Sequence, residues 1–155
     1  MEKYMKRALE LACEAGNQGE VPVGAVIVKK STGEIIGEGK NCRESKKNAL
    51  AHAEIIAINQ ACQTLGGWRL PDCEIYITLE PCPMCCGAII NARIDKVIFG
   101  AYDLKSGSAV SVQKMFEYPY NYFPEVTGGV MEKECSALLT DFFRKLREKR
   151  KHNCK

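Results

Sequence analysis

The chain has 155 residues, 46% hydrophobic and 26% charged, with a formal net charge of +3. That is the composition of an ordinary α/β protein, and the length suits a single domain over 1–155 with a core that hides about 70% of the unfolded surface. No apolar run approaches bilayer length, and Lys3, Lys6 and Arg7 interrupt the N-terminal apolar residues where a secretion signal needs a continuous core, so the expected compartment is the cytoplasm, with no membrane partner.

The elements follow in chain order. Met1, Tyr4, Met5, Ala8, Leu11, Ala12 and Ala15 recur at helical spacing, and Gly16-Asn17 closes the helix. Residues 22–28 are nearly all apolar, as in a central strand buried on both faces. Ser31-Thr32-Gly33 then turns the chain into a second strand over 34–39. Ile55, Ile56, Ile58, Cys62 and Leu65 predict a helix that stops at Gly66-Gly67. Ile75, Ile77 and Leu79 alternate within a strand over 73–79, a helix runs through Gly87-Ala88-Ile89-Ile90, and Val97-Ile98-Phe99 is a strand. Residues 101–124 are the least regular. The last helix carries a stripe of Met131, Cys135, Leu138, Leu139, Phe142, Phe143 and Leu146. Alternation of helix and strand predicts a mixed sheet covered by helices on both faces.

Nine cysteines in an irregular pattern, with no secretion signal, argue against a disulfide framework and for metal binding or burial. Cys62 and Cys135 read as small core residues and Cys154 as a tail thiol. Cys82 and Cys85 are different. They follow a strand, and Pro83 suits the first helical position, which makes Cys82 the N-cap and puts both sulfurs on one face where the helix dipole favours thiolates. A lone Cys-x-x-Cys fits a redox pair as well as a metal. His52 lies 30 residues upstream at a helix start, with Glu54 two positions on. Residues two apart share a site only at a helix's open first turn. One imidazole and two thiolates leave a fourth position free, which favours a catalytic over a structural zinc; Cys86, about 100° round the helix from Cys85, reads as packing.

His-x-Glu followed by Pro-Cys-x-x-Cys is the signature of zinc base deaminases. Beyond it the chain resembles the bacterial-type tRNA-specific adenosine deaminases, over nearly its full length. The resemblance runs through residues 20–26, Gly39-Lys40-Asn41, residues 78–85, Gly100-Ala101-Tyr102-Asp103, Lys105-Ser106-Gly107 and residues 134–143. It implies a cytidine deaminase-like fold, three layers α/β/α around a five-stranded mixed sheet. It implies one Zn²⁺ per chain on His52, Cys82 and Cys85, with Glu54 as the proton carrier, and substrate contacts from Glu20, Val23, Asn41, Asp103 and Asn121. The implied reaction turns adenosine into inosine at the wobble position of a tRNA anticodon, on an unpaired stem-loop held by a homodimer. Two positions depart from the pattern: Tyr122 stands where histidine follows the asparagine, and Tyr102 where arginine is common.

Some alternatives stay open. A free-base or nucleoside deaminase of the guanine or cytosine type shares the zinc motifs. A zinc-stabilised RNA-binding module leaves Glu54 unexplained, and a thiol redox protein leaves His52 and Glu54 idle. Asn41 could hold a nucleoside or merely close a turn. Over 144–155 there are seven Lys/Arg against one acid, Glu148, which reads either as a solvated helix end or as a contact to RNA backbone.

Overall fold

The computed structural model describes residues 1–153, so Cys154 and Lys155 lie outside the described residues. The chain runs α1 (Glu2–Asn17), β1 (Gly24–Lys29), β2 (Ile35–Lys40), α2 (Ala53–Leu65), β3 (Cys73–Leu79), α3 (Pro83–Ala92), β4 (Lys96–Ala101), a 3₁₀ turn at Met115–Glu117, β5 (Glu125–Thr127) and α4 (Glu132–Asn153). The five strands form one mixed sheet in the order β2-β1-β3-β4-β5. β1 is antiparallel to both β2 and β3, while β3, β4 and β5 are parallel. Among the described residues no helix is long and apolar enough to cross a membrane.

Strand alternation divides the core into two layers. Ala25, Ile27, Ile75, Ile77, Val97 and Phe99 face α2 and α3, while Val26, Val28, Tyr76 and Ile98 face α1 and the start of α4. Each fully buried aliphatic or aromatic side chain of this kind contributes about 1.5–3 kcal/mol over leaving it in water. A sheet buried on both faces explains why β1 reads as a continuous apolar run rather than an alternating one. The three-layer α/β/α arrangement implied by the sequence is the one observed.

Two glycines of β2 decide how closely α2 approaches. A Cβ on Gly37 would lie 2.3 Å from the Ala57 carbonyl oxygen, and one on Gly39 would lie 2.1 Å from that of Ala53. The helix backbone therefore lies directly on the strand, and no other residue fits. At the other end α2 stops at Gly66, whose φ of 76° is left-handed and whose N–H bonds the Cys62 carbonyl.

The last helix differs from its sequence reading. It forms, but Cys135 is its only buried residue among those described. Leu139 packs partly against the core, and beyond it Phe142, Phe143 and Leu146 are half-buried or exposed, because α4 runs off the end of the sheet. Cys62 is only half-buried as well, and Cys86 is buried with its thiol toward the Pro81 carbonyl. Among the described residues every cysteine is a free thiol.

Candidate active site

The parallel strands β3 and β4 end at a cavity of about 500 Å³. Its floor is the open first turns of two helices. His52 is the N-cap of α2, in extended backbone, and Cys82 is the N-cap of α3 with Pro83 at the first helical position. Neither side chain makes a capping hydrogen bond, which leaves the imidazole and the thiol free for other partners. Cys85, one turn into α3, is buried on the same side. Two helix ends thus bring together three groups that could hold a metal ion.

His52 Nδ1 lies 3.7 Å from Cys82 Sγ and 3.6 Å from Cys85 Sγ, and all three ligand atoms fall within 4.8 Å of one another. The protons of this cluster are redistributed. Hydrogen bonds from Cys85 and then His52 pull Cys82 down to about 4 against the cost of its burial. The bond to Cys82 raises His52, with the Glu54 charge adding to it, and the Cys82 thiolate with burial drives Cys85 far up. A cation placed among the three groups would bind thiolate and neutral imidazole, and would release protons as it did so.

Glu54, in the first turn of α2, is 4% exposed and lines the cavity. Burial raises its pKa, and the nearby Cys82 charge adds to the effect. A carboxyl group raised above the ordinary carboxylate range is better suited to taking up and surrendering a proton. It sits outside the three-residue cluster.

The implied substrate contacts divide. Val23, Asn41 and Asp103 line the cavity. Asn41 Nδ2 donates to the Val21 carbonyl at 3.2 Å, and its Oδ1 accepts from the Arg43 N–H at 3.3 Å, so it also shapes its own turn. Asp103 closes a turn, accepting the N–H groups of Lys105 and Ser106. Glu20 does not reach the cavity: its oxygens are taken by the N–H groups of Glu44 and Ser45 at 3.0 and 2.8 Å, which makes it a buried brace for the loop after β2. Asn121 is exposed and away from the cavity. Its neighbour Tyr122 donates to Asp95 at 2.9 Å, at the start of β4, about 17 Å of strand from the end that meets the cavity.

Other lining residues escaped the sequence reading. Leu139 and Phe143 of α4 wall the cavity, and Arg43 lines it too. The two α4 side chains sit four apart in the stripe read as core, a spacing that marks a shared face but not what covers it. Tyr102, where arginine is common, packs its ring edge-on against Phe99 at 5.0 Å and borders the cavity.

Comparison with known proteins agrees with this geometry. The model of the MafB19-like deaminase family matches residues 1–147. The tRNA-specific adenosine deaminase of Bacillus subtilis is 47% identical over 151 residues, 97% of this chain and 92% of that protein. A solved structure of a tRNA:A34 deaminase, from work on A-to-I editing at the wobble position, superposes with a TM-score of 0.86 at 40% identity, over 90% of this chain and 100% of the other. A guanine deaminase structure from Bacillus subtilis is 45% identical with a TM-score of 0.64, over 76% of this chain and 73% of its own. Relatives this similar over nearly the whole length, together with the His, Cys, Cys and Glu geometry, mean that the chain belongs to the tRNA-specific adenosine deaminase family, the hydrolytic deaminases of the cytidine deaminase-like fold.

Proposed function

We propose that the chain is a cytoplasmic, single-domain, zinc-dependent hydrolase that converts adenosine to inosine at the wobble position of a tRNA anticodon. The observation that carries this reading is a buried Glu54 lining one cavity with His52 and Cys82, which cluster with Cys85 just beneath. The cluster fits zinc. Tetrahedral coordination with Zn–S near 2.3 Å and Zn–N near 2.0–2.1 Å needs ligand atoms about 3.5–3.8 Å apart, and the observed nitrogen–sulfur separations are 3.6 and 3.7 Å. Three protein ligands leave one position open, and a zinc held there would supply Lewis acidity that makes a water nucleophilic near neutral pH.

The chain's own residues account for the rest. Glu54, raised by burial, accepts the proton that water gives up and delivers it to purine N1; it then takes the proton of the new C6 hydroxyl and passes it to the amine, so that the C6–N bond breaks, ammonia leaves and the C6 carbonyl of inosine remains. Asn41 keeps one Nδ2 hydrogen for the nucleoside, and Val23 gives the base an apolar wall. A base must leave its stack to enter this cavity, which favours an unpaired loop as substrate. Residues 147–153, all exposed, carry the basic end of α4 about 12 Å beyond Phe143 at the cavity wall, within reach of RNA backbone. The homodimer belongs to the same reading, and half-exposed Met84, Gly87 and Ala88 give α3 an apolar face for it.

The test is to incubate the purified protein with an anticodon stem-loop and analyse the digested RNA for inosine, with zinc measured on the same sample. Inosine at the wobble position and about one zinc per chain are expected. The similarity to a guanine deaminase favours a second reading, deamination of free guanine. Xanthine from guanine, with no inosine in RNA, would put that reading in place of the first.

A further inference from the structure

Glu80 is a carboxylate with 2% exposure, placed between the last residue of β3 and the Pro81-Cys82 that opens α3. Among the described residues no cation pairs with it. Four donors from one irregular segment converge on it instead. Its Oε1 accepts the Asp103 N–H at 3.2 Å and the Ser111 hydroxyl at 2.5 Å. Its Oε2 accepts the Val110 and Ser111 N–H groups, each at 2.9 Å. The Ser108 N–H bonds the Pro81 carbonyl at 2.9 Å alongside. The contact is tight: a Cβ on Gly107 would lie 2.4 Å from the Glu80 carboxyl carbon. The segment so held carries Asp103, Leu104, Lys105 and Ser106, which form one wall of the cavity.

We propose that Glu80 is a positioning residue for substrate, anchoring this wall to the same short junction that carries the metal ligand Cys82, so that wall and metal keep a common frame. The proposal rests on the tRNA deaminase reading. A carboxylate suits the task because it alone among side chains offers acceptor sites to four donors and donates none. Glutamine has the same shape but only one acceptor oxygen. Its least costly orientation keeps that oxygen on Val110 and Ser111 and turns its amide toward Ser111 Oγ, which can rotate to accept. The Asp103 N–H then has no acceptor. The weakness created by Glu80→Gln falls on the residue of the segment that borders the cavity.

The experiment compares wild type, Glu80→Gln, the milder Ser111→Ala and a core control, Ile98→Val, using the zinc-loaded full chain. Two readouts are taken: residue-resolved amide exchange, and KM and kcat on an anticodon stem-loop. In Glu80→Gln the Asp103 amide should lose protection more than Val110 and Ser111 do, with β3 unaffected. KM should rise about tenfold, the equivalent of one charge-assisted hydrogen bond, with kcat falling much less. Ser111→Ala should raise KM about twofold to threefold, and keeps the proposal testable if Glu80→Gln does not fold. An unchanged Asp103 amide would overturn the anchoring. A KM rise no larger than that of Ile98→Val at matched loss of Tm would overturn the role in substrate positioning. If wild type leaves RNA unchanged, the function reading fails, while the amide exchange still decides whether Glu80 holds the wall.

Discussion

Gly39→Ala is the sharpest probe of how the fold delivers its chemistry. A Cβ there would lie 2.1 Å from the Ala53 carbonyl oxygen and 2.8 Å from the Ala57 nitrogen. Real Cβ atoms essentially never approach closer than 3.0 Å, so the start of α2 must retreat by about 0.9 Å. Ala53 stands between His52 and Glu54, so the retreat moves both side chains together. Overpacking of this kind costs about 1–3 kcal/mol. At about 2–4 °C per kcal/mol for a chain of this size, Tm should fall by roughly 2–12 °C. A misplacement of about 1 Å at a reacting group costs about 10²-fold in rate. Calorimetry, chelator competition for the metal and single-turnover deamination measure the three consequences, with Gly67→Ala as control, since a Cβ at Gly67 meets nothing within 4 Å. A Gly39→Ala protein that melts and turns over like the Gly67→Ala control would refute the idea that contact with β2 sets the position of His52 and Glu54.

Other outcomes follow from the same structure. Glu54→Gln should retain zinc and fold while losing about 10²–10⁴-fold in turnover, because the amide cannot accept the proton; activity within tenfold of wild type in a zinc-loaded sample would remove Glu54 from proton transfer. Burial pushes Glu20 up, but the N–H groups of Ser45 and Glu44 outweigh it and hold its carboxyl below the ordinary 4.5. A depressed folded pKa contributes stability above the unfolded value and loses it as pH falls through the folded one. Glu20→Gln should therefore be less stable than wild type at pH 7, and denaturant midpoints should converge as pH falls below the ordinary carboxylate range; a gap independent of pH would mean that the charge is not what braces the loop. Truncation after Leu146 removes five Lys/Arg and one acid. If two or three of those side chains touch phosphate, the slope of log K against log salt for stem-loop binding should flatten by about 1.5–2 units. An unchanged slope would make the basic end a solvated helix terminus.

The chain itself determined what depends on near neighbours. Cys82 as N-cap, Pro83 as first helical residue and Cys85 one turn on follow from a strand-to-helix junction and helical spacing, and they were legible with Gly66 as the stop of α2. The apolar run of β1 declared a strand buried on both faces, because alternate residues must then satisfy two layers. What the sequence could not rank was the use of groups that become neighbours only on folding. Glu20 and Glu80 look like other carboxylates, yet each is consumed by amides more than twenty residues away, a fact of loop path and not of local pattern. Asn121 was placed beside the substrate by resemblance, whereas here it is exposed and its neighbour Tyr122 bonds Asp95 just before β4, a contact no local pattern announces. The stripe of α4 was read correctly as one face, but helical periodicity reports which residues point together, never what they point at. There the sheet ends before the helix does, so Phe143 walls the cavity instead of filling a core. His52 and Cys82, 30 residues apart, meet only because β2 and β3 flank β1 and deliver two helix starts to one end of the sheet. Residue types set the chemistry available to this protein, and tertiary packing, which alone fixes long-range distances, decided which of them share a site.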